Sequence, residues 1–298
     1  MAWKAIARFC AGTKHQRRNI ECQDYAAWEL LKDCAIAGVV SDGAGCAKYA
    51  AQGAEIAVKT AISSIKRSFE QLNPVLFDTS SLVQYRHQPL LFVSKLCRWF
   101  FSLFRFKNTN QVRYIREISD STTREIFNLA LEQVRLSLQQ QALKQQCSID
   151  EFACTLLAFI ATPCWIAAMQ IGDGFIVVRQ PNNNYQLLFQ PQKGEFINEV
   201  AFFVTSHNVK DEMKVQIFPG KHKFICVSTD GLELVSIRFR DFQPYKPFFQ
   251  PFEEYMETIP DPEQETDIED FLNSNQVNRR TNDDKTLLLC FYDEQSKV

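Results

Sequence analysis

The apolar positions of the chain form short runs near both ends, with two longer, helically spaced segments between them. The clearest run covers residues 35–40, and its unbroken, β-branched sequence is typical of a buried strand. Because turn residues separate the runs, they favour strands in antiparallel sheets. Further strands are predicted at residues 3–10, 25–31, 153–161, 165–171, 175–179, 185–189, 223–228 and 286–292.

Two segments between these runs carry apolar residues at steps of three and four. The first predicts a helix from about residue 49 to 70, ending before Asn73-Pro74. The second predicts a helix that begins with a capping box at Thr122 and Glu125. The acidic residues 253–270 favour a solvated helix or loop. Strands at both ends and helices between them predict a single α+β domain over residues 1–298.

Residues 75–118 break this rhythm with a basic, aromatic-rich insertion. A helix docked on the flank of the domain, with its arginines and lysines reaching water, is the favoured interpretation. A docking surface for a protein partner and a membrane-surface helix are the alternatives. Because the insertion lies between the two helices, away from the strand ends, we expect it to affect partner choice and not chemistry.

Composition narrows the possible partners and compartment. The 298 residues are 46% hydrophobic with a formal charge of −2, which predicts a large core and no nucleic-acid partner. The N-terminus lacks a signal-peptide pattern, and no apolar stretch reaches the ~20 residues of a transmembrane helix. Most of the ten cysteines lie in apolar segments without a CxxC pair, which indicates reduced thiols. We therefore expect a cytoplasmic protein with no transmembrane segment.

Three predicted strands end or begin at an aspartate: Asp42, Asp230 and Asp283. Each Asp-Gly step alone is more often a plain turn. If the sheets bring these strand ends together, three like charges converge, and bound cations are the usual remedy for their repulsion. Oxygen-only ligands suit magnesium or manganese and not zinc.

A basic loop precedes the second predicted strand. Lys14, His15, Arg17 and Arg18 crowd it, and such a cluster is either a solvated surface or a phosphate-binding rim.

With these motifs taken together, the sequence resembles the metal-dependent PPM protein phosphatases, or type 2C serine/threonine phosphatases, nearer their divergent bacterial branch. The motifs occur in the family's order and cover most of the chain outside residues 75–118. They are Gln23-Asp24, Val40-Ser41-Asp42-Gly43, Cys154-Thr155-Leu156-Leu157, Ile171-Gly172-Asp173, Val227-Ser228-Thr229-Asp230-Gly231-Leu232 and Asp283-Asp284-Lys285-Thr286.

The resemblance implies a central antiparallel β-sandwich flanked by helix pairs, with two Mg²⁺ or Mn²⁺ ions at one edge. It implies hydrolysis of phosphoserine and phosphothreonine in phosphorylated proteins by a water that the two metals activate. His15 and a metal-bound water are both possible donors of a proton to the leaving group. Asp42 would bridge both metals, the Gly43 carbonyl would bind one, and Asp230 and Asp283 would bind the other. Asp24 would hold a metal-bound water, and Gln23 would belong to the shell of one metal. Asp150 would help to hold a third metal. Arg17 or Arg18 would bind the phosphate, with Arg18 slightly preferred.

Three departures from the family pattern weaken parts of this assignment. Gln23 stands where many relatives have glutamate, Ala44 replaces a frequent histidine, and Leu234, beside Glu233, occupies a position expected to hold a third metal. These changes leave room for a catalytically weak PPM-like domain that binds a phosphoprotein or a regulator. A hydrolase of small phosphoesters is a third reading. No cysteine lies in a phosphate-cradling loop, which argues against a thiol nucleophile.

Overall fold

The computed structural model describes residues 2–72, 115, 117–190, 203–262 and 266–294. Nearly all of the predicted insertion at residues 75–118 and of its suggested partner surface lies outside these ranges. Among the helices that are described, none has the length and hydrophobicity needed to cross a bilayer.

Two five-stranded antiparallel sheets form the centre of the molecule. The first has the strand order β1-β12-β9-β6-β7 and the second β2-β3-β4-β5-β8, and a short hairpin, β10–β11, stands apart. The strands are β1 (Ala2–Cys10), β2 (Asp24–Leu30), β3 (Ile36–Asp42), β4 (Leu156–Ala161), β5 (Trp165–Ile171), β6 (Phe175–Arg179), β7 (Tyr185–Leu187), β8 (Lys214–Pro219), β9 (Phe224–Ser228), β10 (Ile237–Arg238), β11 (Gln243–Pro244) and β12 (Lys285–Asp293).

Alternation along the strands creates two apolar faces on each sheet. In β3, Ile36 and Val40 point into the core between the sheets, whereas Ala37 and Val39 face helices on the other side. The inner faces of the two sheets pack against each other through residues such as Phe159. The central strands, such as β3, β4 and β9, are therefore buried on both faces, which explains their nearly continuous apolar sequences.

Helices cover the outer faces of the sandwich. The two longest pack against the second sheet, and the helices near the C-terminus pack against the first. The result is an α+β fold with two antiparallel sheets flanked by helices, as the sequence predicted. The helices are α1 (Thr13–Gln16), α2 (Ala50–Gln71), α3 (Asp120–Gln145), α4 (Val209–Glu212), α5 (Glu233–Ser236), α6 (Lys246–Thr258), α7 (Asp267–Asn273) and α8 (Asn275–Asn278).

One local prediction was wrong, and a second was incomplete. Helix α3 begins at Asp120, and its cap is Ser119, whose hydroxyl accepts a hydrogen bond from the Thr122 N–H at 3.1 Å. The acidic segment is mostly helical with its acidic side chains largely exposed, as predicted, but α6 and α7 also bury Met256 and Ile268 against the first sheet. Tertiary packing, which composition does not report, decides both cases.

Candidate active site

The β2–β3 pair places two predicted site residues opposite each other. Asp24 begins β2, Asp42 ends β3, and the two are register partners, a relation that places Cβ atoms about 5 Å apart. Asp24 is 2% exposed, and its Oδ2 accepts hydrogen bonds from the hydroxyls of Thr229 at 2.8 Å and Thr286 at 2.7 Å. Asp24, in the second sheet, is thereby bonded to the strand ends of the first.

The backbone around Asp42 is fixed on both sides. Its N–H donates to Thr155 Oγ1 at 2.9 Å, and its carbonyl accepts from the Thr155 N–H at 2.8 Å. The Gly43 N–H donates to the Gln23 carbonyl at 2.9 Å. A Cβ on Gly43 would lie 2.4 Å from the backbone oxygen of Ala50, the first residue of α2. The Asp42-Gly43 turn therefore packs so closely against the helix that only glycine fits.

The second Asp-Gly step is held against the start of β12. Asp230 follows β9 and opens the 3₁₀ turn Asp230–Leu232. A Cβ on Gly231 would lie 1.8 Å from the carbonyl oxygen of Asp284, so the two backbones are in direct contact. This contact brings Asp230 and the Asp283-Asp284 pair to one edge of the sandwich.

The two neighbouring aspartates of that pair have different surroundings. Asp283 is exposed, and its Oδ1 accepts from the Asp284 N–H at 3.0 Å. Asp284 is 4% exposed and accepts from the N–H groups of Gly12 at 2.7 Å and Gln23 at 2.6 Å and from His15 Nδ1 at 2.9 Å. Asp284 therefore holds the N-terminal loop, a role that sequence reasoning missed.

Burial and mutual repulsion shift the pKa values of these carboxyl groups. Burial raises the pKa of Asp42 well above its usual range, and the charges of Asp24 and Asp230 raise it further. Burial also raises the pKa of Asp230, followed by the charge of Asp173. For Asp24, burial and then the charge of Asp284 raise the pKa to about 7, against the opposing hydrogen bonds from the two threonines. The edge thus concentrates negative charge in poorly solvated positions.

Asp173 is a further member of the cluster to which the sequence analysis gave no role. It is 7% exposed and lies in the loop after β5. The side-chain Nε2 of buried Gln170 braces this loop by donating to the carbonyls of Gly172 and Gly174, both at 3.0 Å. The signal was present in the sequence, since Asp173 follows a buried strand much as Asp42 ends one.

Gln23 and Asp150 differ in their relation to the cluster. Gln23 lies beside Asp24, and its backbone joins Gly43 to Asp284. Asp150 is exposed in the 3₁₀ turn Ile149–Phe152, and it is not among the main charges that raise the pKa of Asp42. Metal binding by either residue stays a prediction.

The departures that concern a third metal also have distinct positions. Leu234 is 61% exposed, whereas Glu233 is 4% exposed, and its charge contributes to the raised pKa of Asp230. Of these two residues, Glu233 therefore adds its charge to the acidic groups near Asp230, and Leu234 does not.

Arg17 and Arg18 are exposed and directly follow α1. Neither guanidinium forms an ion pair with another side chain in the part of the chain that the structure describes. The loop that carries them is bonded to Asp284 at Gly12 and Gln23. Both arginines remain candidates for binding a phosphoryl group.

The thiols around this edge are poor nucleophiles at neutral pH. Burial raises the pKa of Cys10 to about 11 and that of Cys154 to about 12. It also raises the pKa of Cys22, which directly precedes Gln23, far above its ordinary value. Because the thiolate is the reactive form, these residues do not provide a covalent route.

The side chains at this edge fit hard divalent cations by chemistry. The donors are oxygens only, as magnesium and manganese prefer. The buried Oδ1 of Asp24 has no hydrogen-bond partner among the described residues, so it is available to a water or a ligand. The described residues contain no group of three histidine, cysteine, aspartate or glutamate side chains already arranged to hold a metal ion. The charges therefore converge without forming a complete coordination shell.

Comparison with solved structures agrees with the fold. The solved S. agalactiae serine/threonine phosphatase has a TM-score of 0.56 at 13% identity, with 98% of this chain and 100% of that chain covered. The Mycobacterium tuberculosis phosphatase PstP/Ppp has a TM-score of 0.56 at 10% identity, with 99% and 100% covered. At these identities, the two structures support the fold alone.

The sequence comparisons extend the agreement. Serine/threonine-protein phosphatase 3 of Escherichia coli (strain K12) is 26% identical over 306 aligned positions, covering 99% of this chain and 100% of the relative. The sequence profile described as Protein phosphatase 2C matches residues 11–273, which is most of the chain. The chain therefore belongs to the protein phosphatase 2C family of serine/threonine phosphatases.

Proposed function

We propose that this phosphatase hydrolyses phosphoserine and phosphothreonine in proteins at the edge formed by Asp42, Asp230 and Asp283, with two divalent cations bound there. The observation that carries the proposal is the convergence of carboxylates, several of them buried or half-buried, that raise one another's pKa values. Such a cluster is costly without positive charge, and a cation supplies that charge.

Different residues of the site would bind the metal ions, the water and the phosphate. Asp42, the Gly43 carbonyl, Asp230 and Asp283 would hold the two ions, with Gln23 beside one of them and a third ion at Asp150 doubtful. When bound, Mg²⁺ or Mn²⁺ ions lower the pKa of a water and offset charge on phosphoryl oxygens.

The other polar groups of the site would position water and phosphate. Both threonine hydroxyls bond to Oδ2 of Asp24, so its Oδ1 is left to accept a hydrogen bond from a water. The guanidinium of Arg17 or Arg18 would donate hydrogen bonds to the phosphoryl oxygens.

The wider context belongs to the same proposal. Every cysteine that the structure describes is a free thiol, which supports the expected cytoplasmic location. The single-domain organisation over residues 1–298 and the role of residues 75–118 in partner choice stay predictions.

The test is release of inorganic phosphate from a phosphothreonine peptide by the purified full chain. Activity should require added manganese or magnesium and be abolished by chelator. Asp42→Asn should lower kcat/KM at least about 100-fold, because it weakens binding of both ions. Asp211→Asn, at an exposed aspartate of α4 that is not one of the residues assigned to the site, is the matched control and should retain full activity.

Two results would contradict the proposal. Wild-type rates from a folded Asp42→Asn protein would remove the site assignment. A wild-type protein that binds the phosphopeptide but releases no phosphate with either metal would favour the binding-domain alternative, and activity on small esters alone would favour the third reading.

A further inference from the structure

Strand β7 is the outer strand of the first sheet, and one of its edges is open. The Leu188 N–H donates to the Ile176 carbonyl at 2.9 Å, and the Gln180 N–H donates to the Asn184 carbonyl at 2.8 Å. In an antiparallel pair, alternate residues direct both backbone groups to the same side. These two bonds therefore fix which residues of β7 face β6 and which face away.

The residues that face away are Tyr185 and Leu187. Their register partners in β6 are Arg179 and Val177, so both lie at the positions that do not bond to β6. Among the described residues, no hydrogen bond reaches the outward N–H and C=O groups of these two residues. The edge thus offers two donors and two acceptors in the pattern that another strand would use.

A cavity of about 670 Å³ lies along this edge. Both Tyr185 and Leu187 line it, and the β10–β11 hairpin forms the opposite wall. The hairpin is a sheet of its own and does not pair with β7. The volume lies within the range of ligand-binding pockets, so we name this space the β7 edge groove.

The hairpin wall is basic and partly aromatic. Arg238 is paired with Asp241, its NH2 nitrogen lying 3.0 Å from Oδ2. Exposed Lys246 lines the groove, and exposed Arg240 lies in the turn of the hairpin beside the lining residues Asp241 and Phe242. Neither has a carboxylate partner among the described residues, which leaves one positive charge in the lining and a second at the hairpin turn. Phe242 is 39% exposed at the same wall. An extended chain that carries acidic side chains complements this combination.

We propose that the β7 edge groove binds an extended acidic segment of the phosphoprotein substrate, close to its phosphorylated residue. The segment would add a strand to the first sheet by bonding to the backbone of Tyr185 and Leu187. Its acidic side chains would pair with Arg240 and Lys246. This proposal rests on the proposed function, since it names a determinant of substrate choice for the same site.

The groove lies within reach of the acidic edge. Leu187 is opposite Val177, and Phe175, two residues earlier in β6, is opposite Ser228 at the end of β9. Leu187 is separated from the end of β9 by two strand spacings across the sheet and by two residues along the strand. These separations put it about 12 Å from the end of β9, which lies just before Asp230. About four extended residues cover that distance, so acidic residues about four to eight positions from the phosphorylated residue would reach the groove.

The first experiment measures binding without catalysis. A fluorescein-labelled, unphosphorylated acidic peptide is titrated with the full chain, and its anisotropy is followed. Arg240→Glu/Lys246→Glu should weaken binding at least tenfold. The control, Arg124→Glu/Lys144→Glu, makes the same change of net charge at exposed positions of α3 on the other side of the sandwich and should bind like the wild type.

The second experiment links the groove to substrate choice. With a phosphothreonine peptide that has acidic flanks, Arg240→Glu/Lys246→Glu should raise KM about tenfold. The variant should keep the wild-type KM on the same peptide with serine-glycine flanks and the wild-type kcat on a small chromogenic ester.

A third variant tests the backbone contact. Leu187→Pro removes the outward N–H, a change that an edge strand tolerates because no described group uses that donor. It should also weaken anisotropy binding, with kcat on the small ester as the check on folding.

Several outcomes would overturn the proposal. No binding of the acidic peptide by the wild type, or equal binding by the wild type, the control and the charge-reversal variant, would remove the groove as its site. If peptide binding follows the groove but no phosphate is ever released, the proposed function fails while the groove stands. If phosphate is released with equal KM values from both peptides, the groove proposal fails while the function stands.

Discussion

One carboxylate ties both ends of the N-terminal loop to the start of β12. Asp284 accepts hydrogen bonds from Gly12, His15 and Gln23 at 2.6–2.9 Å, and the loop between them carries both candidate phosphate-binding arginines. Since His15 Nδ1 is used by Asp284, we expect this histidine to position the loop.

A pair of substitutions separates that role from proton donation. His15→Asn keeps an N–H donor near the Nδ1 position, whereas His15→Ala removes it. A positioning role predicts that Asn keeps most of the activity and that Ala raises KM for a phosphopeptide about tenfold, with faster hydrogen exchange across residues 12–23. Equal kcat losses in both variants, confined to substrates with poor leaving groups, would make His15 a proton donor instead.

At the level of single residues, the sequence indicated which aspartates converge at the acidic edge, but not which role each one has. Asp283 and Asp284 are adjacent and chemically identical, yet only Asp284 is buried. The side that each one faces depends on the register between β12 and β1, which is a pairing of distant segments. Sequence reasoning could not supply that register, so Asp284 was passed over.

At the level of elements, strands were easier to predict than the ends of helices. The run at residues 165–171 matches β5, since a strand buried on both faces is apolar throughout. The start of α3 was missed by two residues because Thr122 and Glu125 form a convincing capping box, whereas Ser119 provides the cap. Strand β8 and the β10–β11 hairpin were not predicted, since β8 is a partly exposed edge strand and strands of two residues leave no periodicity.

The cap of α3 can be checked by stability. Ser119→Ala removes the side chain that accepts from the Thr122 N–H and should lower the free energy of unfolding by about 1 kcal/mol in urea denaturation. Thr122→Ala tests the capping box that the sequence suggested and should cost clearly less. A larger loss for Thr122→Ala would return the cap to that position.

At the scale of the whole molecule, the two sheets were predicted as a fold but not as a set of contacts. The resemblance implied the sandwich, and the short strands agreed with it. The order of the strands within each sheet could not be predicted from the sequence, because β12 lies between β1 and β9, and β1 is at the opposite end of the chain. Asp24 shows the consequence: its bonds to Thr229 and Thr286 join the two sheets, although the residues are more than 200 positions apart.

That buried junction gives the whole molecule a pH-dependent stability in chelator. The pKa of Asp24 is raised from 3.8 to about 7 by burial and by the charge of Asp284. The folded protein therefore holds this proton more tightly than the unfolded chain does. The stabilisation is fully present below the unfolded pKa and is lost as pH rises from about 4 to about 7. For this group, the free energy of unfolding should therefore decrease as the pH rises and not as it falls.

Urea unfolding in chelator at pH 5.5 and pH 8 measures the effect. Between these values, the wild type should lose about 2 kcal/mol through Asp24, at about 1.4 kcal/mol per pH unit up to the folded pKa. Asp24→Asn keeps an oxygen for the two threonine hydroxyls but cannot ionise. Between pH 5.5 and pH 8, its free energy of unfolding should therefore fall by about 2 kcal/mol less than that of the wild type. The difference between the two slopes cancels groups whose pKa does not depend on Asp24, such as His222, whose pKa burial lowers and which acts in the opposite sense. Asp42 and Asp230, whose pKa values the charge of Asp24 raises, contribute to the difference together with Asp24. Asp211→Asn should follow the wild type, and parallel slopes for wild type and Asp24→Asn would show that Asp24 is already ionised in the folded protein at pH 5.5.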